Sequence, residues 1–136
     1  MKNRIRIFIK THKVSQGLDA FSCVTVNSID GTSSLSLSGF VSADTKHRTI
    51  LEAIFRYLKN IDPNCNNCIY ELVFYTDSNE IAYEWMREYK EEGRLSSNTP
   101  DLDLYEKIIK QIRKLGLSVN IVGKDNVLSL MNKVLK

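Results

Sequence analysis

Four groups of residues have types and spacings that can do chemistry. Asp77 closes the apolar run Ile69-Tyr70-Glu71-Leu72-Val73-Phe74-Tyr75 within Thr76-Asp77-Ser78. A carboxylate there is either a hard oxygen ligand for a divalent cation or a helix cap, since Asp and Ser accept hydrogen bonds from the free amides of a helix start. Cys65-Asn66-Asn67-Cys68 has the spacing of half a zinc site, which His12 and His47 would have to complete. Nothing in the sequence brings those histidines to that loop, so two unpaired cysteines at a turn are expected and no zinc. Lys46-His47-Arg48, Arg56 and Lys59, together with Lys10, Lys13 and Lys124, are cations suited to a phosphate backbone, although a solvated helix face gives the same pattern. Tyr83, Trp85 and Tyr89 are spaced to stack bases, but Trp85 falls on the apolar stripe of its segment and is expected in the core.

The elements that must position these residues follow from periodicity. Residues 4–9 alternate Arg-Ile-Arg-Ile-Phe-Ile, a period of two that predicts a strand with one covered face, reaching to about His12. Residues 20–26 and 34–41 predict two more strands, with Asp30-Gly31 supplying the positive-φ residues of the hairpin between them. A cap at Ser42 or Thr45 then opens an amphipathic helix carrying Ile50, Leu51, Ile54, Phe55 and Leu58, which Asp62-Pro63-Asn64 breaks. Residues 69–75 are apolar almost throughout, as a central strand buried on both faces requires. Helices follow over 80–92 and 101–115, stopped by Gly93 and Gly116; 117–122 alternates as a fifth strand and 125–136 reads as a last helix. The order is βββαβααβα, an α/β fold. Helical crossovers make strands four and five parallel to strand one in a five-stranded mixed sheet whose first three strands are antiparallel, with helices on both faces. Ligands in such sheets sit beyond the carboxyl ends of the parallel strands, here Lys10-Thr11-His12, Asp77-Ser78 and Gly123-Lys124.

At 136 residues, 43% apolar and 26% charged, with six glycines and two prolines, the chain is expected to form one domain over its whole length, and composition excludes disorder and fibrous repeats. The net charge of +3 permits nucleic acid without requiring it. Short, charge-broken apolar runs argue against a membrane partner and a signal peptide, and an odd count of three cysteines fits a reducing, cytoplasmic setting.

The element order and the residues at the strand ends resemble the ribonuclease H fold. Tyr75-Thr76-Asp77-Ser78 resembles the family's strand-four motif, Asp103-Leu104-Tyr105 its Asp-Leu-Trp at the start of a long helix, residues 48–58 its first helix, and Val122-Gly123-Lys124 its Val-x-Gly-His. The resemblance covers almost the whole chain and implies a site of four carboxylates holding two magnesium ions for in-line cleavage of a phosphodiester. Carried over by position, the strand-one ligand falls on Lys10 and the first-helix ligand on Ile50. Only the strand-four ligand is kept, as Asp77. The last falls on Leu130, with Asp125 nearby as a substitute, whereas Glu52 is turned about 200° from the expected helix position.

A lysine amid the expected ligands repels divalent cations, so Lys10 and Asp77 are expected to form a salt bridge where metals would sit. The resemblance thus implies a ribonuclease H-like domain that has lost two-metal nuclease activity and binds nucleic acid, as an RNA/DNA hybrid or duplex, or a protein partner. No cofactor is expected. The alternative is a divergent magnesium- or manganese-dependent enzyme that cleaves RNA in RNA/DNA hybrids through Asp77 and Asp125. Backbone contacts are expected from Lys10, Lys13, Lys46, Arg48, Ser78 and Lys124.

Overall fold

A computed structural model describes residues 3–27, 33–61, 69–85, 93, 95 and 97–123. Five strands form one sheet in the order β3-β2-β1-β4-β5: β1 Asn3–Ser15, β2 Leu18–Asn27, β3 Ser33–Ser42, β4 Ile69–Tyr75 and β5 Ser118–Val122. β1 pairs antiparallel with β2 and parallel with β4, and β4 pairs parallel with β5. The strand beginning at Arg4 is therefore central, as the alternation and crossovers predict. The hairpin expected at Asp30-Gly31, the Cys65–Cys68 loop, Lys124, Asp125 and the helix expected over 125–136 lie outside the described residues.

Alternation decides which side chains enter the core. Ile7 and Ile9 of β1, Phe21 and Cys23 of β2, Leu72 and Phe74 of β4, and Val119 and Ile121 of β5 share one buried cluster with the helices α1 (Lys46–Lys59) and α3 (Leu102–Leu115). Cys23 is fully enclosed, and burial pushes its thiol pKa up to about 12, so it is an inert core residue. The opposite face of the sheet carries Phe8 stacked on Tyr75, ring centroids 4.6 Å apart. Among the described residues no helix is long and apolar enough to cross a membrane.

Caps set where the helices begin. Thr45 accepts from the Arg48 amide to open α1, and Ser78 accepts from the Ile81 amide to open the short α2 (Asn79–Tyr83). The cap of α2 is thus Ser78, which corrects the capping role allowed for Asp77. Just past α2, Trp85 is 1% exposed and its indole N–H donates to the Val119 carbonyl at 3.1 Å, tying this segment to β5. Gly116 ends α3 in the left-handed conformation, φ 69°.

The end of β5 approaches α2 closely at Gly123. A Cβ there would displace the Asn79 side-chain amide and lie 3.2 Å from Asn79 Cα and 3.3 Å from Ala82 Cβ. Gly123→Ala is expected to cost about 1–3 kcal/mol by overpacking, read as a lower urea midpoint with unchanged slope.

Candidate functional site

Beyond the carboxyl ends of β1 and β4, the first turn of α1, the α2 segment and the first turn of α3 meet. β1 and β4 run side by side only as far as the Phe8–Tyr75 pair. At that point the Thr76 amide bonds the Val122 carbonyl and the chain leaves the ladder, so Asp77 stands outside it with its side chain half exposed. Lys10 is exposed further along β1, opposite Ser22 of β2. The Asp77 carboxylate pairs with Lys46 at the start of α1. The expected Lys10–Asp77 bridge is therefore replaced by Lys46–Asp77, because the α1 terminus presents an ammonium where β4 releases its aspartate. Ile50 has no exposed surface at all.

Next to this pair lies a denser network that the sequence reading does not assemble. His47 Nδ1 is 2.8 Å from Asp101 Oδ2, and Nε2 is 2.9 Å from Glu84 Oε1. Side-chain exposures of 11% for His47, 8% for Glu84 and 19% for Asp101 place the contacts largely out of water. Tyr105 donates its hydroxyl to the same Glu84 oxygen at 2.7 Å, and Arg48 Nη1 donates to Asp101 Oδ1 at 3.0 Å while its Nη2 lies 3.6 Å from Asp103. Ionised carboxylates only accept, so contacts at both ring nitrogens favour the imidazolium over either neutral tautomer. Burial opposes that charge, but the hydrogen bonds and charges of Glu84 and Asp101 outweigh it and hold the His47 pKa above its ordinary 6.5.

Asp101 also has φ 56°, the one positive φ of a non-glycine residue among the described positions. Asp tolerates this left-handed conformation better than most residues, and the bonds from His47 and Arg48 hold it there.

The basic run of α1 therefore does not stand free. Lys46 meets Asp77, His47 meets Glu84 and Asp101, Arg48 meets Asp101 and Asp103, and Arg56 meets Glu52 and the Phe40 carbonyl. With Glu80 beside Glu84, five carboxylates face the three cations Lys46, His47 and Arg48. Of the residues expected to meet phosphate, Lys10 and Lys13 are exposed and make no ion pair among the described residues, and Ser78 is engaged as the α2 cap. His12 is exposed on β1, opposite Ala20.

No family model matches the sequence, and no curated protein matches it either. Solved structures do match. The chain superposes on an RNase H1 named LC11, isolated from compost by a metagenomic approach and solved with an RNA/DNA hybrid, with a TM-score of 0.63 at 16% identity over 90% of this chain and 87% of that one. The N-terminal RNase H domain of a Mycobacterium tuberculosis protein gives 0.61 at 15% identity over 91% and 85%. A foamy viral protease-reverse transcriptase bound to an RNA/DNA hybrid gives 0.56 at 12% identity over 90% of this chain and 17% of that one. The chain has the ribonuclease H-like fold.

Among the described residues, the two magnesium ions that the resemblance implies do not fit. Lys10 and the enclosed Ile50 stand where the resemblance puts two of the four ligands, and Asp77, where it puts the third, is paired with Lys46. A hard dication needs several oxygen ligands, and at these three positions it would meet a single carboxylate, already paired with an ammonium.

Proposed function

We propose that this ribonuclease H-like chain is a non-cleaving module that contacts a nucleic-acid backbone in the cytoplasm. The observation that supports the reading is the Lys46–Asp77 pair, with Ile50 sealed in the core, at positions where the resemblance expects metal ligands. Without those ligands, neither water activation nor stabilisation of a leaving oxygen by paired metals is available at this position. Support for the partner comes from two structural neighbours that hold RNA/DNA hybrids and from the stretch of β1 beyond Phe8, where Lys10, His12 and Lys13 are exposed. The acids around α1 oppose phosphate there, so the contact runs through β1 and is weak. Those same acids favour a second reading, a protein partner with a basic surface.

Purified protein is expected to leave an RNA/DNA hybrid uncut with magnesium or manganese. Titration of labelled hybrid, duplex and single strand should show weak, sequence-independent binding whose log affinity falls with log salt by about 0.7–0.9 per phosphate contacted. Lys10→Glu with Lys13→Glu should abolish it, and both sites are exposed, so the fold is spared. Cleavage lost in Asp77→Asn would restore the enzyme reading. Binding absent at low salt, or indifferent to the double reversal, would leave the protein partner.

A further inference from the structure

Around His47 the carboxylates outnumber the side-chain cations. Glu80 and Glu84 are four residues apart on one helical face, and His47 Nε2 points at them across the gap between α1 and α2. One ligand atom from each of His47, Glu80 and Glu84 lies within 4.8 Å of the other two. A tetrahedral ion bound at about 2.0–2.1 Å sets its ligands roughly 3.3 Å apart, so His47 Nε2 and Glu84 Oε1, hydrogen-bonded at 2.9 Å, would have to part by only a few tenths of an ångström to hold one, with the exposed Glu80 as third ligand. Asp101 stands behind the ring at Nδ1, the arrangement in which a carboxylate fixes the tautomer of a metal-bound histidine, and an ion at Nε2 would displace to solvent the proton now held between Nε2 and Glu84. Tyr105 holds the Glu84 carboxylate from the core side.

We propose that His47, Glu80 and Glu84 bind one late first-row divalent ion, zinc foremost, with Asp101 and Tyr105 as positioning residues. The imidazole selects against magnesium, which needs oxygen ligands alone. Three protein ligands leave a fourth position for water. The site uses neither Asp77 nor Cys65 and Cys68, and it stands independently of the nucleic-acid reading.

The test is titration of the full chain with zinc alone against a chromophoric chelator, with cobalt(II) absorption as a second readout and magnesium as a control. One equivalent of zinc should bind and raise the melting temperature. Cobalt(II) should give a four- or five-coordinate spectrum without thiolate charge transfer, and magnesium should do neither. Glu80→Gln, on an exposed side chain that leaves the circular dichroism unchanged, should weaken zinc at least tenfold, and His47→Gln should abolish binding. Cys65→Ser with Cys68→Ser should change nothing. Stoichiometry below one, a thiolate band lost in the double serine variant, or zinc affinity unaltered by Glu80→Gln would each overturn the site.

Discussion

Ile50→Glu, which puts back the carboxylate that the fold's two-metal chemistry would need on the first helix, is expected to bring the protein close to unfolding at neutral pH. Ile50 has no exposed surface and belongs to the cluster formed by α1, α3 and the sheet. Losing its burial costs about 2 kcal/mol. An ionised carboxylate cannot be carried into that cluster, so the group must take up a proton, and holding a glutamic acid neutral at pH 7 against its ordinary pKa of about 4.3 costs about 3.7 kcal/mol. The combined loss, about 6 kcal/mol, matches the whole stability of many small domains.

The pH dependence separates this cause from simple misfit. The new carboxyl has a folded pKa above its unfolded one, so the folded state holds a proton that the unfolded state releases. The stability deficit should therefore shrink by about 1.4 kcal/mol for each pH unit below 7 until about pH 4.3. Urea denaturation of both proteins across that range measures it. A small, pH-independent deficit would mean that the position opens to solvent, and a metal ligand there would again be feasible.

The sheet was legible because it rests on local signals. Alternation from Arg4, the apolar run ending at Tyr75 and the stop at Gly116 each reflect an energy set within a few neighbouring residues, and β4 spans Ile69–Tyr75 as expected. Trp85 was legible too, since Ile81 and Trp85 mark one helical face, and both are buried. The site was legible only as separate residues. His47 meets partners 37 and 54 positions away, and no spacing rule reaches across that distance. Glu84 follows Ile81 by three residues and so shares its buried side, a signal present in the sequence but hidden when the segment is read for apolar positions alone. The Lys10–Asp77 expectation failed for a related reason. It took adjacency of strands to mean adjacency of side chains, whereas β4 ends two residues before Asp77 and the α1 terminus supplies the nearer cation. The left-handed Asp101 is fixed by the same long-range bonds and had no local signature.

The ring at the centre of this network should set the pH dependence of stability in chelator-treated protein. His47 is faced by Glu84 from the α2 segment, by Asp101 and Tyr105 from the start of α3, and by Glu80 and Arg48 nearby. Burial disfavours the imidazolium, but the two hydrogen-bonded carboxylates favour it more, and its pKa in the folded state is raised above 6.5. A raised folded pKa means that this stabilisation is fully present below pH 6.5 and is lost as pH rises through the folded value. At about pH 6, His47→Ala should cost about 3 kcal/mol, since it leaves Glu84 and Asp101 facing each other without the cation between them. At about pH 9 the cost should be smaller, and the variant's stability should vary less with pH than that of the parent. His12→Ala, on an exposed ring, should stay within about 0.5 kcal/mol at every pH. Urea unfolding by circular dichroism at half-unit pH steps reads all three proteins. Parallel pH profiles for the parent and His47→Ala would show that the ring is not the proton-binding group, and the ion-pair description of the junction between α1, the α2 segment and α3 would have to be abandoned.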